Sequence, residues 1–398
     1  MTKPIGPLCN LDCEYCFYLE KLRLFPANEN FKMSDEVLEN YIRQYIEHQD
    51  TPEVNFAWQG GEPTLLGVAF FRKVVDLQKK FANGKRILNA LQTNGTLLDD
   101  EWCEFLSRHQ FFIGLSIDGP VKLHNTYRVD KKGAATYEQV IHGLRLLRKH
   151  GVEFNTLTVV SRGNSQKPLE VYRYLRDIGS GFIQFIPLVE RLGDAGARKP
   201  GLDLAEPPRA NEADNGRQSV TDCSVKPRQY GEFLCTIFDE WVRRDVGSAF
   251  VQLFDVTIGN TMGLGSSLCL FSETCGTAMA MEHNGDVYSC DHYVYPRYKL
   301  GNVLDETLGQ MATSDFQRNF GRAKADPLPR NCRECEVRLL CHGECPKHRF
   351  VRAPDGEPGL NYLCAAYKKF FNHSAPSMRR MAQLVYAGRP AADIMLRF

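Results

Sequence analysis

The stretch Cys9-Asn-Leu-Asp-Cys13-Glu-Tyr-Cys16 decides how the rest of this sequence is interpreted. Its three cysteines are odd in number and too close together for good disulfide geometry, so they predict metal ligands. A structural zinc site requires four ligands, and no further Cys or His follows before His48. Three thiolates on a [4Fe–4S] cluster would instead leave one iron open to a substrate. A fragment of a zinc site is the alternative interpretation.

The composition is that of an ordinary soluble globular protein. A chain of 398 residues is long enough for two or three domains with their own cores. The 49 basic and 48 acidic residues are interspersed and give a net charge of +1, which argues against a nucleic-acid-binding protein. No run of about 18 apolar residues predicts a membrane span, and no apolar segment near the start predicts a secretory signal. We therefore expect a cytoplasmic protein.

The chain contains 14 cysteines, which in the cytoplasm indicate metal ligands rather than a disulfide framework. Eight form a C-terminal group, namely Cys269, Cys275, Cys290, Cys332, Cys335, Cys341, Cys345 and Cys364. Eight thiolates suffice for two zinc ions or two [4Fe–4S] clusters, and spacing alone leaves both open. Cys103 and Cys235 fall in predicted helices and are expected in the core, whereas Cys223 lies in a polar segment where it could be exposed.

Strands and helices alternate over residues 34–190. The predicted strands are 53–58, 87–92, 111–117, 153–160 and 182–188. The predicted helices are an apolar-periodic segment from Val37 to Ile46 with Ser34 as N-cap, then 70–81, 99–109, 137–150 and 168–178. This alternation is typical of a parallel sheet covered by helices, with polar, Gly-rich residues after each strand where α/β barrels carry their chemistry. About six such units predict an α/β fold, a partial (β/α)6 barrel of the TIM type.

The sequence beyond the predicted barrel divides into three parts. Residues 193–224 are polar and rich in Gly and Pro, which indicates a surface loop or lid, or else a spacer between domains. An amphipathic helix is predicted over 227–246. The cysteine-rich remainder is too loop-rich to be stable without metal. We therefore expect a barrel domain over 1–225, a connecting helix over 226–252 and an auxiliary domain with C-terminal helices over 253–398.

The motif Gly60-Gly61-Glu62-Pro63 follows the strand 53–58 and is preceded by Gln59. Its glycines allow a close backbone approach to a ligand, and Glu62 can accept a hydrogen bond from an ammonium group. Alone the motif is an ordinary turn. It lies one βα unit after the cysteine run, however, and together the two motifs resemble the radical S-adenosylmethionine (SAM) enzymes.

The resemblance implies that the first three cysteines hold a SAM-binding [4Fe–4S] cluster and that Glu62 binds the SAM amino group. Ser116 and Arg128 match positions that contact SAM, the Arg through the SAM carboxylate, although each also has a purely structural interpretation. The implied cofactor-binding residues are Tyr18, Gln59, Gly60, Gly61, Glu62, Ser116 and Arg128. Asn94 either faces the same pocket or only forms the turn with Gly95.

The C-terminal cysteines have the spacing C-x5-C-x14-C, then C-x2-C-x5-C-x3-C, then a final C. This pattern resembles the SPASM extension of radical SAM enzymes that modify peptides, which implies two auxiliary [4Fe–4S] clusters and three clusters in all. The first would take Cys269, Cys275, Cys290 and Cys345, and the second Cys332, Cys335, Cys341 and Cys364. Only the resemblance, and not the spacing, implies that Cys345 returns to the first cluster.

Three motifs together are similar to those of the anaerobic sulfatase-maturating enzymes: Cys16-Phe17-Tyr18, Gln59-Gly-Gly-Glu-Pro and Gly285-Asp-Val-Tyr-Ser-Cys290-Asp291-His-Tyr-Val. This resemblance covers nearly the whole chain. It implies oxidation of a Cys or Ser in a sulfatase precursor to Cα-formylglycine, within a Cys/Ser-x-Pro-x-Arg-like segment. It also implies Asp291 as the base, Tyr18 near SAM and substrate, a flavodoxin or ferredoxin as electron donor, and a monomer.

The implied chemistry is self-consistent. Reductive cleavage of SAM would give a deoxyadenosyl radical that takes a hydrogen atom from Cβ of the target residue. A base must then remove the thiol or hydroxyl proton while a second electron leaves. Asp291 is one residue from a proposed cluster ligand and could serve there, and His292 is a rival base with a better unperturbed pKa.

Two other functions remain open at this point. One is another SPASM-type peptide maturase that forms thioether or carbon–carbon crosslinks. The carboxylate at 291 argues against it, as does the expectation that no peptide-recognition domain fits in the eight residues before Cys9. The other is a zinc-stabilised binding protein, which leaves the N-terminal cysteines and the Gly-Gly-Glu-Pro motif unexplained.

Overall fold

One ten-stranded sheet organises the computed structural model of the protein, which describes residues 1–193, 201–208 and 220–398. The strands are β1 Thr2–Lys3, β2 Glu53–Trp58, β3 Arg86–Thr93, β4 Phe112–Ser116, β5 Phe154–Val160, β6 Phe182–Pro187, β7 Phe250–Val251, β8 Ala280–Glu282, β9 Asp286–Tyr288 and β10 Lys299–Asn302. Their order is β10-β9-β8-β1-β2-β3-β4-β5-β6-β7. All neighbours from β8 to β7 pair in parallel, whereas β9 and β10 are antiparallel.

Strands β1 to β6, with their connecting helices, form the partial barrel, and the predicted fold class is confirmed. Five of these strands agree with the predicted ranges to within a few residues. The sixth, β1, was not identified from the sequence because two residues have no periodicity to detect. It lies directly before the cysteine run and therefore fixes where that run begins.

The helices cover the outer face of the barrel strands and continue into the C-terminal part. Their bounds are α1 Asp35–Glu47, α2 Gly67–Phe81, α3 Asp100–Arg108, α4 Val121–His124, α5 Tyr137–Lys149, α6 Pro168–Asp177, α7 Pro227–Arg244, α8 Gln252–Thr261, α9 Leu308–Ala312, α10 Asp315–Arg322, α11 Arg330–Arg333, α12 Arg338–Cys341 and α13 Cys364–Tyr386. Ser34 caps α1 as predicted, because its side chain accepts a hydrogen bond from the Val37 N–H. None of the described helices is both long and apolar enough to cross a membrane.

The hydrophobic core runs from the barrel into the C-terminal part without a break. Aromatic pairs join α13 to the connecting region: the rings of Tyr230 and Tyr367 are 5.7 Å apart, and those of Phe254 and Phe370 are 5.4 Å apart. The pairs are buried, so they contribute both apolar area and ring geometry to stability. The long helix α13 therefore packs on α7 and α8 as part of the same core.

The three cysteines without a proposed ligand role are all buried. Cys103 and Cys235 lie in α3 and α7, and their place in the core is confirmed. The expectation that Cys223 is exposed was wrong, since it packs with Tyr15 and Leu188 in a small separate cluster. A polar sequence context did not reveal that contact.

Part of the predicted polar loop over 193–224 lies outside the described residues, namely 194–200 and 209–219. The described piece 201–208 is attached to the segment after the cysteine run. Glu20 Oε2 accepts hydrogen bonds from the backbone N–H groups of Asp203, at 2.8 Å, and Leu204, at 3.1 Å. This piece is therefore anchored to the barrel.

The cysteine-rich part joins the barrel through the sheet itself. Strand β8 pairs in parallel with β1, with Lys3 opposite Glu282. The hairpin of β8 and β9 then leads to Cys290 and the short 3-10 helix Asp291–Tyr293. Pairing of the N-terminal strand β1 with β8 thus carries the proposed base to the edge of the barrel.

Candidate active site

The cysteine run is held between two strand-end segments. On one side, the Asp12 and Glu14 N–H groups donate to the carbonyls of Val129 and Tyr127, at 2.8 and 3.0 Å. On the other side, the backbone of residues 6–8 contacts the Gly-Gly-Glu motif at the end of β2. Strand-end loops therefore set the position of the run at the carboxyl end of the sheet.

The three thiols of the run are close enough to influence one another. Burial raises the pKa of Cys9 to about 12, and Cys16 and Cys13 add to the rise. Burial also raises the pKa of Cys13 to about 11, with Cys16 again contributing. The structure thus brings together the three cysteines of the proposed SAM-binding cluster.

Gly60 and Gly61 approach the backbone of the cysteine run rather than open space. Gly61 N–H donates to Gly6 O and Glu62 N–H to Leu8 O, both at 2.8 Å. A Cβ at Gly61 would lie 1.8 Å from Leu8 O, a separation that no side chain can adopt. Gly60 has a φ of +139°, which also favours glycine. Both glycines are therefore required to place the cysteine run.

Substitution of Gly61 by Ala should displace the cysteine run. We expect deoxyadenosine formation from SAM to fall by about 100-fold, because a displacement of about 1 Å can cost that much. Gly181→Ala is the matched control, since a Cβ there meets nothing within 4 Å. Chromatography of the nucleoside product measures both variants. A wild-type rate in Gly61→Ala would contradict this role.

Glu62 is 1% exposed and joins the ends of β2 and β3. Its Oε1 accepts hydrogen bonds from Thr64 N–H at 3.1 Å, Thr64 Oγ1 at 2.6 Å and Thr93 Oγ1 at 2.7 Å, and its Oε2 accepts one from Asn94 N–H at 2.7 Å. Burial raises the pKa of Glu62, and these hydrogen bonds oppose that rise. Of the two oxygens, Oε2 has the greater remaining capacity to accept from an ammonium group.

Asn94 combines the two roles that the sequence left open. Its Oδ1 accepts from Thr96 N–H at 3.0 Å, which forms the turn. Its Nδ2 points to the cysteine run, where Asn10 Oδ1 lies at 2.9 Å and Cys9 Sγ at 3.8 Å. Asn94 therefore forms the turn and contacts the proposed cluster site as well.

Arg128 is buried in an ion pair with Asp118 at the end of β4. Its Nε donates to Asp118 Oδ2 at 2.9 Å, and the same oxygen accepts from Tyr15 Oη at 2.5 Å. Its Nη2 also donates to Asp118 Oδ1 at 3.4 Å, which leaves the Nη1 donors for a ligand carboxylate. Ser116 is also buried at this strand end. Asp118 orients Arg128 and was not identified from the sequence, where Asp118-Gly-Pro resembles a turn.

Tyr18 and Asp291 meet at Lys3, which sequence reasoning missed. Lys3 Nζ lies 2.5 Å from Asp291 Oδ1 and 3.6 Å from the centre of the Tyr18 ring. The Asp291 contact is an ion pair without good hydrogen-bond alignment. Tyr18 Oη donates to the buried Glu282 Oε1 at 2.5 Å. No sequence signal marks Lys3, because its burial depends on the pairing of β1 with β8.

The surroundings keep both rival bases unprotonated at neutral pH. Burial tends to raise the pKa of Asp291, but Lys3 and His292 overcome that tendency and lower it to about 2. Burial and Lys347 lower the pKa of His292 to about 3. Asp291 is in contact with the barrel through Lys3, whereas His292 packs on the Phe17 ring at 5.4 Å.

Gln59 lies at the end of β2 beside β1. Its N–H donates to Thr2 O at 2.9 Å, and its side-chain amide contacts the Met1 sulfur. Its neighbour in the sheet is therefore the strand that also carries Lys3. Gln59 is on the same side of the site as the Lys3–Asp291 ion pair.

The first C-terminal set is brought together from three segments. Burial and Asp291 raise the pKa of Cys290 to about 12, and Cys269 and Cys275 add to the rise. Burial raises the pKa of Cys345, with contributions from Cys290 and Cys269. Cys345 therefore lies with the set that the family resemblance implied.

The second C-terminal set is equally distinct. Burial raises the pKa of Cys332 to about 11, with contributions from Cys364 and Cys335. Burial raises the pKa of Cys341 to about 12, and Cys364 and Cys332 contribute. These thiols therefore lie close enough to influence one another, which supports the second proposed ligand set.

These three sets fit iron–sulfur clusters in their chemistry, since all 11 cysteines are free thiols. Within the described ranges, no three Cys, His, Asp or Glu side chains converge closely enough to hold a single metal ion. The members of each set raise one another's pKa, which places their thiols near one another without placing them around one ion.

Comparisons with known proteins agree with this arrangement. The Radical SAM superfamily model matches residues 4–175, and the SPASM iron–sulfur cluster-binding domain matches residues 269–336. A serine-type anaerobic sulfatase-maturating enzyme of Bacteroides thetaiotaomicron is 48% identical over 99% of this chain and 94% of its own length. A cysteine-type enzyme of Clostridium perfringens is 33% identical over 96% of this chain and 97% of its own length.

Solved structures show the same similarity. Native anSMEcpe with bound AdoMet and the Cp18Cys peptide superposes with a TM-score of 0.82 at 33% identity, covering 96% of this chain and 98% of that one. Streptococcus suis SuiB bound to the precursor peptide SuiA has a TM-score of 0.60 at 13% identity, covering 91% of this chain and 75% of that one. At that identity, SuiB supports the fold alone.

Proposed function

This chain belongs to the anaerobic sulfatase-maturating enzymes of the radical SAM superfamily, and we propose which of its residues carry out the reaction and on which substrate. It is a radical SAM enzyme that generates formylglycine. Its cofactors are SAM and [4Fe–4S] clusters, and a count of three fits the family. The main observation that supports these residue roles is that Lys3 contacts both Tyr18 and Asp291, next to Cys290.

The three cysteine sets would hold the clusters, and the strand-end residues would hold SAM. When bound, SAM would be the source of a carbon-centred radical, and the clusters would donate or accept single electrons. Gly60 and Gly61 place the cysteine run, and Glu62 would accept a hydrogen bond from the ammonium group of SAM. Arg128, which Asp118 orients, would donate to the carboxylate of SAM. Ser116 lines the same strand end.

Asp291 takes the proton from the substrate. Formation of an aldehyde from a Ser side chain removes one hydrogen atom from Cβ, then one proton from the hydroxyl group and one electron. A carboxylate with a pKa near 2 is a weak base toward a resting alcohol. The hydroxyl proton becomes far more acidic once Cβ carries a radical, so an ionised and well placed carboxylate is sufficient.

Lys3 and Tyr18 prepare that step. Lys3 keeps Asp291 ionised and fixes its position against β1. Tyr18 is fixed by its hydrogen bond to Glu282, so its ring stacks over the Lys3 ammonium and lines the same edge of the site. Gln59, at the end of β2, is proposed to line the SAM site.

The proposed substrate is a sulfatase precursor segment of the form Ser-x-Pro-x-Arg, supported by the identity of 48% to a serine-type enzyme against 33% to a cysteine-type one. We propose that the enzyme acts as a monomer and receives its first electron from a flavodoxin or ferredoxin. Reductive cleavage of SAM consumes one electron, and both of these proteins are single-electron donors.

Peptides that differ only at the target residue test the substrate assignment. We expect turnover of both the Ser and the Cys peptide, because a site able to deprotonate an alcohol can also deprotonate the more acidic thiol. Mass spectrometry of the peptides after anaerobic incubation with SAM and a reductant measures the aldehyde. An Ala peptide is the control. Turnover of Cys alone would contradict the serine assignment.

A further inference from the structure

A linker of three residues joins the two auxiliary cysteine sets. It runs from Cys341 of the second set to Cys345 of the first, and its residues His342, Gly343 and Glu344 have φ values of 47°, 71° and 52°. Side chains with a Cβ rarely adopt this left-handed conformation, and three consecutive residues in it require support from their surroundings. The path between the two sets is therefore held in place by contacts.

Arg349 supplies that support. Its Nε donates to Gly343 O, and its Nη2 donates to both His342 O and Glu344 O, each at 2.9 Å. Its Nη1 donates to Lys324 O. One buried guanidinium thus binds every carbonyl of the linker, which only the planar fork of an arginine can do.

Lys324 is a second buried cation, 0% exposed, beside the first set. Its Nζ donates to the carbonyls of Cys269, Leu270 and Ser272. A neutral amine has only two N–H donors, so three carbonyl acceptors indicate the charged ammonium form. Lys324 therefore places a positive charge against the backbone of a proposed cluster ligand.

One carboxylate opposes these two charges. Glu344 is fully buried and accepts from His348 Nδ1 at 3.0 Å and Asn361 Nδ2 at 2.5 Å. The Asp291 carboxylate beside Cys290 is already paired with Lys3, so Arg349, Lys324 and Glu344 together leave an excess of positive charge between and beside the cysteine sets. Burial strengthens its effect on neighbouring charges.

We propose that Arg349 and Lys324 are positioning residues that fix the two auxiliary clusters relative to each other and stabilise their one-electron-reduced state. Reduction adds one electron and no proton, so the cluster becomes more negative and a buried cation favours it. In formylglycine formation that electron comes from the target residue, whose hydroxyl proton goes to the base. This inference rests on the proposed cysteine ligand sets.

Redox titration followed by electron paramagnetic resonance tests the inference in the full-length chain with Cys9, Cys13 and Cys16 changed to Ala, which isolates the auxiliary signals. We expect Arg349→Gln and Lys324→Met to lower the ratio of reduced to oxidised cluster at a fixed potential at least tenfold, which is about 59 mV for one electron. Arg349→Lys, which retains the charge but not the fork, should keep the potential and lose iron faster. Arg338→Gln, at an exposed position between Cys335 and Cys341 of the second set, is the matched control and should change nothing.

Unchanged midpoint potentials in Arg349→Gln and Lys324→Met, with about eight irons bound, would overturn the inference. If Arg349→Gln binds no iron, the variant Arg349→Lys decides the question. A wild-type potential supports the role of the charge, and a tenfold fall in the ratio of reduced to oxidised cluster overturns it. The background variant with Cys9, Cys13 and Cys16 changed to Ala should itself bind about eight irons. A lower iron content in that variant would contradict the proposed ligand sets, and the inference that rests on them.

Discussion

Asp291→Asn should abolish formylglycine while SAM cleavage continues. Asparagine has the size of aspartate but cannot take up a proton, so we expect peptide product to form about 100-fold to 10,000-fold more slowly. Iron content and deoxyadenosine formation should stay close to wild type, because neither depends on the proton step. Mass spectrometry of the peptide and chromatography of the nucleoside measure the two outcomes in one reaction.

Two variants make that result specific. Asp286→Asn removes a buried carboxylate on the neighbouring strand β9, where Asp286 pairs with Lys299 at 2.7 Å, and should leave product formation intact. His292→Gln removes the rival base and should retain most of the activity. Product at the wild-type rate in Asp291→Asn, together with its loss in His292→Gln, would transfer the role of base to His292.

Joint replacement of Cys9, Cys13 and Cys16 by Ala should stop SAM cleavage altogether. We expect no deoxyadenosine, and about eight irons per chain, because the two C-terminal sets keep their ligands. The single variant Cys103→Ala is the matched control: its thiol is buried in α3 away from the three sets, so about twelve irons should remain. Iron analysis after anaerobic reconstitution measures both variants.

A different iron count would revise the ligand assignment. If the triple variant binds about four irons or none, then the C-terminal sets do not hold two independent clusters. If it still cleaves SAM at the wild-type rate, the open cluster is held by other residues.

The sequence predicted the barrel because its signals are local. Apolar strands, helix periodicity and the Ser34 cap are each visible within a few residues, and five strands appear where they were expected. The two-residue strand β1 has no such signal. Its existence depends on pairing with β2 and β8, which lie far away in the sequence.

The residues of the candidate site also fall into those with a local sequence signal and those without one. The cysteine spacings and the Gly-Gly-Glu-Pro motif could be identified from residue types alone. The burial of Lys3 and its contact with Asp291 could not, because a lysine near the start of a chain is ordinarily exposed. The closeness of Cys345 to Cys290 could not be predicted from the spacing either, because it follows from the left-handed linker that Arg349 holds.

We expect this enzyme to oxidise a peptide residue at Cβ by passing a hydrogen atom from that carbon to the deoxyadenosyl radical. The decisive measurement uses a Ser-x-Pro-x-Arg peptide with deuterium on Cβ of the Ser, incubated anaerobically with SAM and a reductant. We expect deuterium in the deoxyadenosine and an aldehyde in the peptide, in equal amounts. Deoxyadenosine without deuterium, or a crosslinked peptide in place of the aldehyde, would contradict oxidation at Cβ.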